Sequence, residues 1–246
     1  MTSLTLDALA FAAQAADALV ATERALIASL TLSDPPLGAL NSNCALITDI
    51  LAPAMQLPAD AAAIVALLSA DAATIGQNAT PADAAGAFYT AAQGASTALS
   101  PIVSPARGRA AGMARMMCAG IEASWLGQAF VMEAMSNFTD RQAALDARNR
   151  ISAAMDDASD RIALAIGAGV FELLSQTASY ATNWLVAEAA DLAPVVIVDA
   201  GRSFPATALA FALYGDPQRA GELVARNASG TSLFMPAQFQ ALAPQQ

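Results

Sequence analysis

The sequence predicts a mainly α protein: an Ala-rich helical bundle with a long helical hairpin, followed by a small C-terminal α+β unit ordered strand, helix, helix, strand. Three observations carry this. Alanine makes up about a quarter of the 246 residues, and it is the best helix former because it loses no side-chain entropy in a helix. Apolar residues recur at three- and four-residue spacing through most of positions 5–193, the period of a helix face. Only the last fifty or so residues depart from that pattern. There the β-branched run Val195-Val196-Ile197-Val198 stops at Asp199-Ala200-Gly201, and a second apolar run covers 239–242.

Taken in order, the first helix is expected over 5–30. Leu9, Ala12, Ala16, Leu19, Leu26 and Leu30 form its apolar stripe, and Glu23 is its one polar intruder. Ser33-Asp34-Pro35-Pro36 should stop it, with a shorter helix over 43–55. Two similar helix starts follow, Leu57-Pro58-Ala59-Asp60 and Thr80-Pro81-Ala82-Asp83. In the second, Thr80 suits an N-cap, Pro81 the first helical position, and Asp83 the positive end of the helix dipole. Ser100-Pro101 and Ser104-Pro105 close a first region, 1–105.

The second region, 106–193, should hold long, coiled-coil-like helices. One starts at Ala106 and carries Met113, Met116, Met117, Ile121, Trp125, Phe130 and Met132. Asn137-Phe138-Thr139-Asp140 either breaks it or decorates it. A seam then steps by four and three through Ile151, Met155, Ala158, Ile162, Ala165 and Gly169, continuing through Leu173, Tyr180 and Trp184 to Leu192. Gly167-Ala168-Gly169 suggests a kink or close helix packing, since no strand precedes it and no Lys follows, as a phosphate loop would need. The third region is 194–246. In it a helix over 204–214 should turn at Gly215-Asp216-Pro217 into a second helix ending at Arg226-Asn227.

Charge and composition exclude several chemistries. The chain carries 21 acidic and 11 basic residues, a net charge of −10, which opposes binding to a phosphate backbone. Arg107, Arg109 and Arg115 form its one basic cluster; it reads as a contact for an acidic partner or an anion, or as an ordinary charged helix end. With no histidine, Ser-His-Asp, Cys-His and His-metal arrangements are ruled out. Asp156-Asp157-Asp160 beside arginines reads as a solvated helix face. Cys44 and Cys118 lack metal or disulfide spacing and read as two buried free thiols. Residues 1–7 show no cationic n-region, so no signal peptide is read. The longest apolar stretch, 162–174, is too short to span a membrane. No cofactor, no metal and no enzymatic activity are expected.

The terminal region resembles a LysM domain. Pro205-Ala206, Leu213-Tyr214-Gly215-Asp216, Arg219-Ala220, Glu222-Leu223 and Arg226-Asn227 narrow the likeness further. These motifs are similar to the C-terminal end of the Mu-like phage DNA-circularisation protein family (protein N), a tail and baseplate component of contractile-tailed phages. Where that family carries a basic His-Pro-Gly loop, this chain has Ala228-Ser229-Gly230-Thr231-Ser232-Leu233-Phe234. The resemblance implies that Pro205, Tyr214, Gly215, Asp216, Arg219, Arg226 and Asn227 form a structural and docking motif. It also implies a groove near 201–204 and 229–234, where LysM domains hold N-acetylglucosamine polymers.

The expected function is therefore that of a non-enzymatic virion protein. It would sit at the baseplate near hub and tube, in several copies around the tail axis, contacting hub, tube and wedge proteins after assembly in the host cytoplasm. Two alternatives remain open at this point: a peptidoglycan-binding module used in cell-wall penetration, and a DNA-end-binding protein delivered with the genome.

Overall fold

Helices dominate because the alanine-rich segments have little else to form, and the computed structural model, which describes residues 5–99 and 104–243, is mainly α with one small antiparallel sheet. Among the described residues the chain divides into two compact units. One comprises Met1–Asn137 with Asn149–Trp184; the other comprises Phe138–Arg148 with Leu185–Gln246. This division differs from the three regions 1–105, 106–193 and 194–246. The Met-rich helix joins the N-terminal helices because it is their common packing partner, and residues 138–148 and 185–193 join the terminal unit.

In the larger unit, α1 (Leu6–Ala28) begins at Thr5, whose Oγ1 accepts from Ala8 N at 3.3 Å. The double proline does not terminate a helix; it starts one. Pro35 and Pro36 occupy the first turn of α2 (Asp34–Leu46), where a missing N–H costs nothing. A π-helical turn, Ile47–Leu51, carries α2 into the short α3 (Ala52–Ala54). The two similar starts open α4 (Pro58–Asn78) and α5 (Pro81–Thr97). Asp60 Oδ2 caps the first by accepting from Gln56 N and Leu57 N at 2.8 Å each. Thr80 stands at the N-cap position of the second, but its side chain makes no capping bond.

Ser100 and Pro101, expected to close the first region, lie outside the described residues, as do residues 1–4. Beyond them the single helix expected from Ala106 is two. α6 (Pro105–Ala110) ends at Ala111, where ψ is 3°, and α7 (Gly112–Met135) begins afresh. α7 is the centre of the unit, with α1, α4 and α5 packed on it. Trp125, Phe130, Ile121 and Met117 are buried there, with Tyr89 of α5 tilted against Phe130 at a centroid distance of 6.2 Å. Small residues allow close approach: a Cβ on Gly94 would come within 2.7 Å of Thr22 of α1. Among the described residues α4 alone is long and apolar enough to cross a membrane. Its Ile64, Leu68, Ala72 and Ile75 are buried in this bundle.

Glu23 is fully buried in α1, as is Asp71 in α4. Asn43 donates to Asp71 Oδ1 at 2.7 Å, and Cys44 Sγ lies 3.7 Å from Glu23 Oε2. Cys44 and Cys118 are both free and buried. Burial pushes their thiols up, to about 12 and about 11. The acidic helix face is solvated as expected, with Asp157 paired to Arg161 at 2.6 Å.

Asn137-Phe138-Thr139-Asp140 does break the helix. α8 (Arg141–Ile166) and α9 (Ala168–Asp191) follow, separated by Gly167 at φ +87°. Gly167 is thus the turn of a hairpin, the conformation glycine alone enters freely. Arg141 Nε donates to Ala189 O at 2.9 Å, so the two helices run antiparallel. The reversal also splits the predicted seam. Ile151, Ala158 and Ile162 are buried on α8, whereas α9 buries Leu174, Ala178 and Ala181 and leaves Leu173, Tyr180 and Trp184 exposed.

In the terminal unit, β1 (Val195–Asp199) pairs antiparallel with β2 (Gln238–Leu242), Val195 facing Leu242 and Asp199 facing Gln238. Between them lie α10 (Ala206–Tyr214), a 3-10 turn (Pro217–Arg219) and α11 (Ala220–Arg226). The strand, helix, helix, strand order read from the sequence is present. Ala206, Leu209, Ala210, Leu223, Met235, Phe239 and Ala241 form its core.

Candidate functional site

The motif residues of the terminal unit are tied to its own backbone. Pro205, extended at φ −61° and ψ 141°, caps α10, and its carbonyl accepts from Ala208 N and Leu209 N at 3.1 Å. Gly215 ends that helix at φ +70°, donating to Phe211 O at 2.9 Å. Asp216 Oδ1 caps the 3-10 turn by accepting from Gln218 N at 2.8 Å. Tyr214 Oη accepts from Leu242 N at 3.0 Å, which fastens the end of α10 to β2. Burial foremost, with the Glu222 carboxylate second, pushes its phenol above the ordinary tyrosine value.

Three more motif residues make side-chain contacts of their own. The Arg219 guanidinium lies 3.8 Å from the Tyr214 ring centroid and donates to Glu222 Oε2 at 2.9 and 2.8 Å. Asn227 acts as a piece of strand: its Oδ1 accepts from Gln240 N at 2.7 Å and its Nδ2 donates to Gln240 O at 2.8 Å. Arg226 Nη1 donates to Asp140 Oδ2 at 2.7 Å, and both side chains are nearly buried. Asp140 in turn accepts from Ala143 N at 2.9 Å, capping α8. Burial acts to raise the Asp140 carboxyl, but the Arg226 hydrogen bond, the Ala143 amide and the guanidinium charge outweigh it and leave it below the usual range. Replacing Tyr214 by Phe is expected to cost about 1 kcal/mol and to speed exchange of the Leu242 amide, read by hydrogen exchange.

What remains for outside contact is a rim. Ala206 N donates to Ser232 O at 2.7 Å and Met235 N to Phe204 O at 3.0 Å, so the loop 228–237 runs beside 201–206. The two segments expected to flank a groove are therefore neighbours. Met235 is buried, which turns Leu233 and Phe234 outwards, 61% and 71% exposed. Arg202 stacks on Phe204 at 4.8 Å. The rim is apolar and aromatic with one cation; it offers van der Waals contact and stacking, with no acid–base pair. Among the described residues no group of three or more His, Cys, Asp or Glu could hold a metal ion.

The basic cluster belongs to the larger unit. Arg107 and Arg115, eight residues apart, would share a face only on an unbroken helix, and the break at Ala111 separates them into α6 and α7. Arg107 lies over the Phe11 ring at 5.6 Å. Arg115 reaches back to α6, its Nη2 lying 3.3 Å from where a Cβ on Gly108 would stand. Arg109 is exposed on α6. Arg115 also lines a cleft of about 600 Å³ with Met116, Glu122 and Arg161. Glu122 there is buried and paired to Arg161 at 2.7 Å.

Sequence reasoning did not find Asp140 as the partner of Arg226, though Thr139-Asp140 before a helix is a recognisable cap signal. Nor did it find the Arg202–Phe204 stack. Fold and rim together define a mainly helical protein with a small βααβ unit carrying an exposed apolar rim. No protein-family model matches the chain, and no curated protein matches it.

Proposed function

We propose that this chain is a diverged, LysM-like relative of the Mu-like phage DNA-circularisation proteins, and a structural component of a contractile phage tail. It sits at the baseplate near hub and tube, where the helical unit braces neighbouring subunits and the terminal unit docks on hub, tube or wedge proteins. One observation carries the reading. Every motif residue on which the likeness rests is used to hold the terminal unit together, while Leu233 and Phe234 are left exposed on an aromatic rim. A ridge of that kind suits protein contact, since aromatic residues anchor interfaces.

The peptidoglycan reading has its own support in the same rim. Phe204 under Arg202 and the exposed Phe234 resemble the flat faces on which sugar rings stack. The DNA-end reading has less: the net charge is −10, and Arg107 is engaged with Phe11.

Antibody labelling of purified particles, viewed by electron microscopy, tests the main reading. Label at the distal end of the tail is expected. Absence there, with the protein released alongside DNA, would overturn it. A Leu233→Asp, Phe234→Asp double variant is expected to keep native helix content yet fail to enter particles. Sedimentation of the wild-type chain with purified cell wall, lost in that variant, would favour the glycan reading instead.

A further inference from the structure

α9 carries two apolar stripes, and its own unit buries only one. Leu174, Ala178 and Ala181 face inwards. Beside them, Val170, Leu173, Thr177, Tyr180 and Trp184 step by three, four, three and four, which is again seam spacing. These large side chains point outwards: Val170 is 40% exposed, Leu173 65%, Tyr180 76% and Trp184 59%. A single exposed leucine is ordinary, but a continuous row ending in two aromatics marks a contact surface.

We propose that this outer stripe is where two copies of the chain meet, antiparallel, about a two-fold axis at Thr177. Three observations point to a second copy. The first is size. Two-fold symmetry sets Trp184 level with Val170 and Tyr180 within one residue of Leu173, so each large side chain meets a smaller one, which is how facing layers interdigitate. A parallel pair would set tryptophan on tryptophan and tyrosine on tyrosine. The second is shape. Val170, Leu173 and Thr177 form one wall of a groove of about 390 Å³ whose other wall, on α7, runs from Gly120, Ala123, Ser124 and Gly127 to Gln128 and Val131. The small residues of that wall leave a hollow beside Val131, and the symmetry brings Tyr180 and Trp184 of the second copy to it. The surface is thus knob and hole at once, as an isologous contact requires.

The third observation is charge. Two chains of net charge −10 repel wherever their acidic faces meet. Between Glu172 and Glu188, α9 has no charged residue at all. Its flanking Gln176 and Asn183 are neutral, so the seam is a place where two copies approach without that cost. Area sets the strength. At about 150–250 Å² per aromatic side chain and less for valine and leucine, the exposed fractions amount to about 1,000 Å² over the pair, the lower end for a specific interface. The dimer is therefore reversible, forming at micromolar concentration.

This inference stands apart from the tail reading and is tested on the purified full chain. Sedimentation velocity across a concentration series is expected to show a monomer–dimer equilibrium. Tyr180→Asp, at an exposed position, should leave helix content unchanged and abolish the dimer. A Thr177→Cys variant, on the axis, should cross-link to itself on mild oxidation, since Cys44 and Cys118 are buried; Val170→Cys, far from the axis, should not. A monomer at every concentration, a dimer that survives Tyr180→Asp, or self-cross-linking of Val170→Cys would each overturn the proposal.

Discussion

The stability of the helical unit is expected to fall as pH rises from about 4.5 to about 8, and Glu23→Gln is expected to flatten that dependence. Glu23 and Asp71 sit together in the bundle core, where Glu23 Oε1 and Asp71 Oδ2 are both buried without a donor. One proton between the two carboxyls supplies that donor. Burial is the largest influence on Glu23 and the Asp71 charge the next, together pushing it up to about 8. Burial likewise raises Asp71, against the Asn43 hydrogen bond. Cys44 faces Glu23 as well, and the Arg24 charge acts on that thiol against the two carboxyls.

The sign follows from the proton count. Above the unfolded value near 4.5 the unfolded chain has lost the Glu23 proton while the folded chain keeps it. Stability is therefore fullest at low pH and declines by up to about 1.4 kcal/mol per pH unit until the folded group ionises. Both tryptophans, Trp125 and Trp184, lie in this unit, so their fluorescence follows its denaturant unfolding. Glu23→Gln keeps a neutral donor, and its midpoint should move much less over the same range. A wild-type midpoint indifferent to pH, or a slope undiminished in the variant, would show that the pair shares no proton.

The second large effect is expected in the terminal unit. Arg226→Ala should destabilise it by about 3–5 kcal/mol, because the Asp140 carboxylate is left charged, nearly buried and without its partner. The loss should appear in hydrogen exchange at the Gln240, Leu242 and Met235 amides, all protected by tertiary bonds in this unit. Amides of α1 and α7 should be unaffected. The same pair makes an acid prediction of opposite sign to that of Glu23. Asp140 is held below its ordinary value, so its contribution is complete above about pH 3.9 and is lost as pH falls through the lower folded value. Retained protection in Arg226→Ala would mean that water satisfies Asp140 as well as the guanidinium does.

Much of this architecture is legible in the chain. The helices and the βααβ order follow from local rules of propensity, capping and turn chemistry, whereas at Asn137-Phe138-Thr139-Asp140 those rules leave break and decoration equally open. Those rules involve a few neighbouring residues, and the sequence contains them whole. Where local reading failed, the reason was also local. Pro35 and Pro36 suggest a stop, although prolines in a first turn begin a helix equally well. Ala111 carries no breaking residue type, yet α6 and α7 part there.

The candidate site divides in the same way. Pro205, Gly215 and Asp216 have roles readable from their own turn. Tyr214, Arg226 and Asn227 do not, because their partners Leu242, Asp140 and Gln240 are 28, 86 and 13 residues away. Glu23 could be singled out as polar within an apolar stripe, but Asp71 as its neighbour could not.

What the sequence by itself determined is the period of each element: which residues share a face, where helices cap, and that no histidine chemistry exists here. What only the tertiary structure decided is the phase. Leu173, Tyr180 and Trp184 lie on a seam with good spacing, yet the turn at Gly167 presents Leu174, Ala178 and Ala181 to the core and leaves that seam outside. Spacing along a helix states which side chains lie together, but burial depends on where a neighbouring helix stands, and local spacing does not encode that position.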